Sequence, residues 1–403
     1  MRDELKNFFF LLFWMSALYV KSQPLLLHFQ KIQTQEGISL SNSTAATEDR
    51  YGYMWIGTVN GVYRYDGYGV KAYEHRFGDP GSPIPSPVRY AFCDSEGRLW
   101  FSFLNGLMEY DYTRDAFKSY YQSEPIWMTH IVEGMPQTLY VGTSNGLMRL
   151  NTSTGAMFFL DSLGHAQKGW DSQVACIQKY GKKLYLITLN DLVVFDLETE
   201  QHTAILLPKA IRGARFSSIA INKAGELWVA GGKEGQPIYR TDTALTTWKS
   251  YQDFVHTPAG QSNRVVNLLF DHRGRLWAST TQSGIALYDP STDRFRFSRI
   301  EPWMPNGLPG VYLGELYQDQ RGMIWGATFK GHIYFDPDNT FFQTLLPDNH
   351  PAAPTTQLQS ADMAERPDGK QWLATREGLY LYDPVTDQTL RRYVNQPGLP
   401  PVL

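Results

Sequence analysis

Along most of the chain, apolar and polar residues alternate in short runs, as in WIGTVNGVYRYD from Trp55 and WLATREGLYLYD from Trp372. Alternation with period two predicts half-buried β-strands, because successive side chains of a strand point to opposite faces. The pattern recurs. An aromatic anchor opens it at Trp55, Trp100, Tyr140, Tyr185, Trp228, Trp277, Trp325 and Trp372, at spacings of 45, 40, 45, 43, 49, 48 and 47 residues. Self-similarity at such a period identifies a repeated structural unit, and an active-site loop does not return eight times.

Each unit has the same parts. An apolar strand ends in a turn such as Asp94-Ser-Glu-Gly97, Asp271-His-Arg-Gly274 or Asp319-Gln-Arg-Gly322. There the Asp accepts backbone N–H bonds and the Gly takes positive φ. The anchor then starts a second strand, and Asn60-Gly61, Asn105-Gly106 or Asn145-Gly146 is read as the two-residue turn into a third. A weaker fourth strand follows, as in FKSYY or RFRFS. Four antiparallel strands per unit predict an all-β fold, a β-propeller of four-stranded blades with the Trp anchors packed between neighbours.

Residues 27–39, LHFQKIQTQEGIS, match the tail of a unit, TLRRYVNQPGLP at 389–400. An orphan outer strand at the N-terminus completes a propeller's last blade and removes an exposed edge. Seven blades are expected, with Phe29 to Ile32 closing the Trp325 unit. Residues 23–345 would form that propeller, and residues 346–403 would begin a truncated second one. On an eight-bladed alternative, the same strand would lie on the Trp372 unit.

The first residues place Arg2 and Lys6 before an apolar run from Phe8 to Val20 and a small residue at Ser22. This is the build of a signal peptide spanning residues 1–22, and the run is too short to cross a bilayer as a helix. An exported mature chain follows. A formal net charge of -3 gives no reason to expect a nucleic-acid partner. The two cysteines, Cys93 and Cys176, make no disulfide framework and read as unpaired thiols in strands.

Two motif matches fail. The Asp-x-x-Gly turns lack the Ser or Thr and the pre-Trp Thr of sialidase Asp boxes. The run Gly231 to Gly235, GGKEG, lacks the ending and helix of a phosphate loop and reads as a hairpin loop.

The lead GISLS at 37–41, then Asp49-Arg-Tyr-Gly52, WIGT, NG and RYDGYGVKAYEH, together resemble the two-component regulator propeller repeat. The resemblance covers residues 24–403. It implies the periplasmic sensor region of hybrid histidine kinases that control polysaccharide utilisation, in which two seven-bladed propellers precede kinase and receiver modules. The implied partners are an oligosaccharide and the second propeller and kinase modules of a longer chain; an acidic oligosaccharide is expected from the arginines named below, and a homodimer is a separate expectation. No cofactor and no catalysis by this chain are expected. The alternative is an enzyme, because streptogramin lyases are propellers with similar Trp-containing repeats that use His and Glu around magnesium.

In a propeller, the loops entering the first strands gather around the central channel on one face. Counting thirteen residues back from each anchor gives Asn42, Pro87, Trp127, Ser172, Arg215, Arg264, Tyr312 and Gln359. A purely structural position would repeat one residue type, and this one varies. Trp127, Ser172, Arg215, Arg264 and Tyr312 are the candidate ligand-binding residues. The aromatics would stack on sugar rings and the arginines would fork onto carboxylate or sulfate. Trp170, Asp171, Arg212, Asn263 and Trp303 lie on neighbouring loop positions. No catalytic residue and no metal site stands out.

Overall fold

The computed structural model describes residues 25, 27–34, 38–121, 126–160, 173–188, 191–205, 207–209, 211, 215–242, 244–254, 263–298, 307–338, 360–375, 378–383 and 388–394. The expected signal peptide lies outside them. Among the described residues there is no α-helix, and the strands form eight four-stranded antiparallel sheets. The described residues divide into two compact units, one within Pro24–Asn339 and the other within Thr340–Leu403.

The first unit holds seven sheets, one for each anchor from Trp55 to Trp325, numbered here as blades one to seven. Blade one runs Ser43–Glu48, Met54–Thr58, Val62–Tyr65 and Val70–Tyr73. The first strand of each blade neighbours that of the next, and blade seven's neighbours blade one's, so the ring is closed. Blade seven takes three strands from Leu316–Gln318, Ile324–Thr328 and Gly331–Phe335 and its fourth from Gln30–Lys31. The pairing is Gln30 with Tyr334 and Lys31 with Ile333, as expected for a seven-membered ring. Phe29, buried beside this strand, meets the Phe335 ring edge-on at 5.2 Å. Ser43 adds to the seam, its hydroxyl donating to Thr328 O and accepting from Thr328 N.

The anchors fill the spaces between blades: Trp55, Trp100, Trp228, Trp277 and Trp325 are 0–1% exposed. Burying an indole N–H requires an acceptor. In four blades the Asp of the Asp-x-x-Gly turn supplies it, with Oδ2 of Asp49, Asp94, Asp271 and Asp319 accepting at 2.7–3.0 Å. Oδ1 takes backbone N–H groups, as Asp271 does from Arg273 and Arg275. The sequence disclosed only this backbone role.

Blade five carries Asn222 in place of the Asp. Its Oδ1 accepts from Ala224 and Glu226 while its amide donates to Glu226, which leaves Trp228 Nε1 buried without a partner. Trp228→Phe is therefore expected to cost about 1 kcal/mol less than Trp325→Phe, whose N–H is bonded. Chemical denaturation of the two variants measures the difference.

One turn differs from its sequence reading. Thr143 pairs with Gly146 and Phe103 with Gly106, so the two-residue turns are Ser144-Asn145 and Leu104-Asn105, and the glycine begins the third strand. The glycine is needed for close approach, since a Cβ on Gly106 would stand 2.7 Å from Tyr120 O.

Outer strands are pinned between blades by a repeated cluster. Lys71 and Tyr73 of blade one, with Tyr110 of blade two, all donate to Asp115. Lys249 and Tyr251 of blade five, with Tyr288 of blade six, do the same to Asp293. Burial opposes the charged form of Asp115, but the three donors hold its carboxyl down at about 2. Led by the Lys249 bond, Asp293 is also held at about 2.

In the second unit, Ser360–Glu365, Gln371–Thr375, Gly378–Asp383 and Gln388–Val394 form the eighth sheet over Leu373, Tyr380 and Tyr382. Its anchor Trp372 is only half-buried. Both cysteines of the chain are free, and burial raises Cys93 to about 11 and Cys176 to about 12.

Candidate functional site

The loops entering the blades are stitched to the turns that join second and third strands. The carbonyls of Asn42, Trp127, Arg215 and Arg264 each accept from the N–H four residues beyond their own anchor, namely Val59, Ser144, Gly232 and Thr281. These four residues therefore occupy one backbone station, on the same end of the ring. The station's side chains are set by sequence alone, because the backbone supplies the fixing bonds. This end of the channel is the candidate site.

Arg215 is exposed and Arg264 half-buried, and among the described residues neither guanidinium has an ion-pair or hydrogen-bond partner. Other described arginines differ, for example Arg98 on Asp94, Arg240 on Glu226 and Arg275 on Asp271. Glu234, on the loop beside Arg215, makes no ion pair with it. Trp127 is 50% exposed.

Three features lie outside the sequence count. Blade two keeps the register of blade seven, where Leu313 N bonds Thr280 O and Gly314 N bonds Ala327 O: Val88 N bonds Thr58 O and Arg89 N bonds Ser102 O, so Pro87 holds the counted position and Arg89, two residues on, reaches the Trp127 ring at the mouth. The Arg89 guanidinium lies 4.2 Å from the Trp127 ring centroid, so one indole face is covered. In blade seven, Tyr312 stacks on Phe329 at 4.1 Å and 18° between planes, and Phe329, 61% exposed, is the outward aromatic surface. Arg264 is close enough for its charge to lower the Tyr312 pKa, though burial raises it overall. Asn263 is a brace: its Oδ1 accepts from Arg264 and Gln282 and its amide donates to Ser283. Ser172, Gln359, Trp170, Asp171, Arg212 and Trp303 lie outside the described residues.

Below the mouth the first strands line the channel. Asn267 and Ser218 are committed to backbone N–H groups of the following blade. Tyr90 and His130 lie with ring centroids 4.6 Å apart. His130 Nδ1 has no partner among the described residues, and burial lowers the pKa of the ring to about 4, the Ala175 backbone opposing it. Burial pushes the Glu315 carboxyl well above its usual range, and Glu315 in turn helps to raise Tyr90 and Cys176, on blades two and four. A carboxyl felt on both those blades from blade seven points toward the axis. The arrangement is a basic and aromatic mouth over a channel holding one enclosed acid.

No family model and no curated protein matches the chain. Among solved structures, the extracellular domain of the hybrid two-component system BT3049 from B. thetaiotaomicron aligns with a TM-score of 0.71 at 18% identity, over 91% of this chain and 49% of that one. The extracellular domain of BT4673 from the same organism aligns at 0.62 and 18%, over 92% and 48%. Virginiamycin B lyase from Staphylococcus aureus aligns at 0.60 and 16%, over 76% of this chain and 98% of that one. All three share the propeller fold with this chain. The chain spans about half the length of the two extracellular domains, and among its described residues no helix is long and apolar enough to cross a membrane.

Proposed function

We propose that the chain is the ligand-capturing part of a periplasmic sensor in a hybrid two-component signalling system, detecting oligosaccharides released by polysaccharide breakdown. The observation that carries this reading is the single backbone station holding Trp127, Arg215 and Arg264, whose side chains make no hydrogen bond or ion pair among the described residues. Position is fixed there while chemistry varies, as in a recognition surface on a rigid scaffold. The structural likeness to extracellular domains of hybrid two-component systems supports the signalling context. On this reading the Trp372 sheet is the first blade of a second propeller, residues 1–22 are removed on export, and kinase modules and a second copy are the partners.

Arg215 and Arg264 enter adjacent blades at equal offsets, so one anionic group can be shared between them. Arg264→Ala is expected to lose at least about 1.5 kcal/mol of affinity for an acidic oligosaccharide, the worth of a charge-assisted hydrogen bond, without altering the melting temperature of the free protein. Calorimetry against acidic and neutral oligosaccharides measures it. Binding of neutral sugars only, indifferent to Arg264→Ala and Arg215→Ala, would remove the mouth as the site. The alternative, an enzyme like the streptogramin lyases that share the fold, requires magnesium-dependent loss of a streptogramin in the presence of purified protein.

A further inference from the structure

Arg89 was invisible to the spacing and is the mouth's third unpartnered arginine. Its side chain reaches solvent, yet the surrounding walls desolvate it enough to lower its pKa. Desolvating a cation is unfavourable unless an anion compensates. Among the described residues none does: no carboxylate and no carbonyl accepts from the guanidinium, whose one recorded contact is the Trp127 face. The guanidinium therefore keeps its fork of N–H donors free of protein acceptors among the described residues.

The backbone holds the residue in place. Val88, immediately before it, is 0% exposed, and its side chain fills the space a Cβ on Gly57 would need, at 2.4 Å. The Val88 carbonyl accepts from Thr44 Oγ1 at 2.7 Å.

The position around the ring decides what Arg89 can do. It enters blade two, whereas Arg215 and Arg264 enter blades five and six. Counted by the shorter way round seven blades, both are three blades from blade two, the greatest separation the ring allows. With sheets packed about 10 Å apart face to face, three blades correspond to on the order of 20 Å across the mouth. The Arg89 guanidinium is held against Trp127 on its own side of the mouth, so a sulfate or carboxylate shared by Arg215 and Arg264 leaves Arg89 unpaired.

We propose that Arg89 forms a second anion station opposite Arg215 and Arg264, and that the mouth selects oligosaccharides carrying acidic groups on at least two separated sugars. This rests on the reading of the mouth as a saccharide site and narrows it to polyanionic chains. The Trp127 face not covered by Arg89 and the exposed Phe329 ring provide stacking surfaces for sugars between the stations.

The test is calorimetry with oligogalacturonates of one, two and six residues, sulfated cello-oligosaccharides, and unmodified cello-oligosaccharides of matched length, each at low and high salt. A six-residue acidic chain should bind at least tenfold tighter than the monomer, and its affinity should fall with salt. Arg89→Ala should weaken the long acidic chain at least tenfold, Arg89→Lys less, with Arg264→Ala and Arg89→Ala each flattening the salt dependence. Preference for carboxylated or sulfated chains identifies the anion. If Arg264→Ala weakens binding and Arg89→Ala leaves it unchanged, or if the monomer binds as tightly as the hexamer, the second station is wrong while the saccharide reading stands. If no acidic chain binds, both fall.

Discussion

Replacing Trp277 with alanine should lower the free energy of unfolding by about 3–5 kcal/mol, the range for large-to-small changes at fully buried aromatics. The indole is 0% exposed and packs with Phe29, Leu313 and Phe335 at the seam between blades six and seven. Its N–H donates to Asp271 Oδ2 at 3.0 Å, and Arg275 lies over its ring at 5.8 Å. The variant leaves a cavity between two sheets held apart by their own backbone stitching, so collapse cannot close it. Trp127→Ala, at a 50% exposed position, should cost less than about 1 kcal/mol. Equal shifts in denaturant midpoint for the two variants would mean that the anchors are not the inter-blade core.

The second large effect is acid sensitivity. His332 is 2% exposed with neither ring nitrogen partnered, and burial holds its pKa at about 3; His130, in the channel, is held at about 4. Unfolded, both would titrate near the ordinary value of about 6.5. Below that pH the unfolded chain takes up protons that the fold refuses, so stability is complete above about 6.5 and falls as pH drops toward 4. For His332 alone, roughly 2.5 pH units at 1.36 kcal/mol each give on the order of 3 kcal/mol. Glu315 works in the opposite direction, since its raised carboxyl favours the fold as it protonates on acidification. Urea melts at pH 7 and pH 4 should therefore show a shallower loss for His332→Gln than for the natural chain, and a steeper loss for Glu315→Gln. Identical slopes in all three proteins would discount these groups. Asp115 and Asp293 act in a lower window: their clamps persist above the ordinary carboxylate range and are lost as pH falls through about 2.

What could be seen in the residues was whatever repeats. The anchors recur in type and spacing because each fills the same place in its blade, and the Asp-x-x-Gly turns recur in four of the blades for the same reason. The closing strand was visible for the same reason, as a tail without a body. Function sits in the departures from the repeat, and a count at fixed spacing loses them. Arg89 lies two residues past the counted Pro87 and reaches the mouth only through its side chain, against Trp127. Phe329, on a turn, gave no signal that it would cover Tyr312. Glu315 was hidden differently: it sits beside an ordinary strand of blade seven, and its influence on Tyr90 and Cys176 depends on blades far apart in sequence. Ser172 lies where the structure describes nothing, so its part in the mouth rests on the spacing alone.

The strand Gln30–Lys31 also sets a rule of timing. It is made first, yet its partner Gly331–Phe335 is made roughly 300 residues later. Until then the seventh blade has a bare edge and the N-terminal segment has nothing to pair with. No partial chain emerging during synthesis or export can close the ring, and closing it joins the two most distant parts of the unit at the full entropic cost of so long a loop. The seam is therefore expected to be the last structure gained on folding. A chaperone that holds the waiting segment, or a peptide copying residues 27–34, would compete for the bare edge and stop assembly at six complete blades.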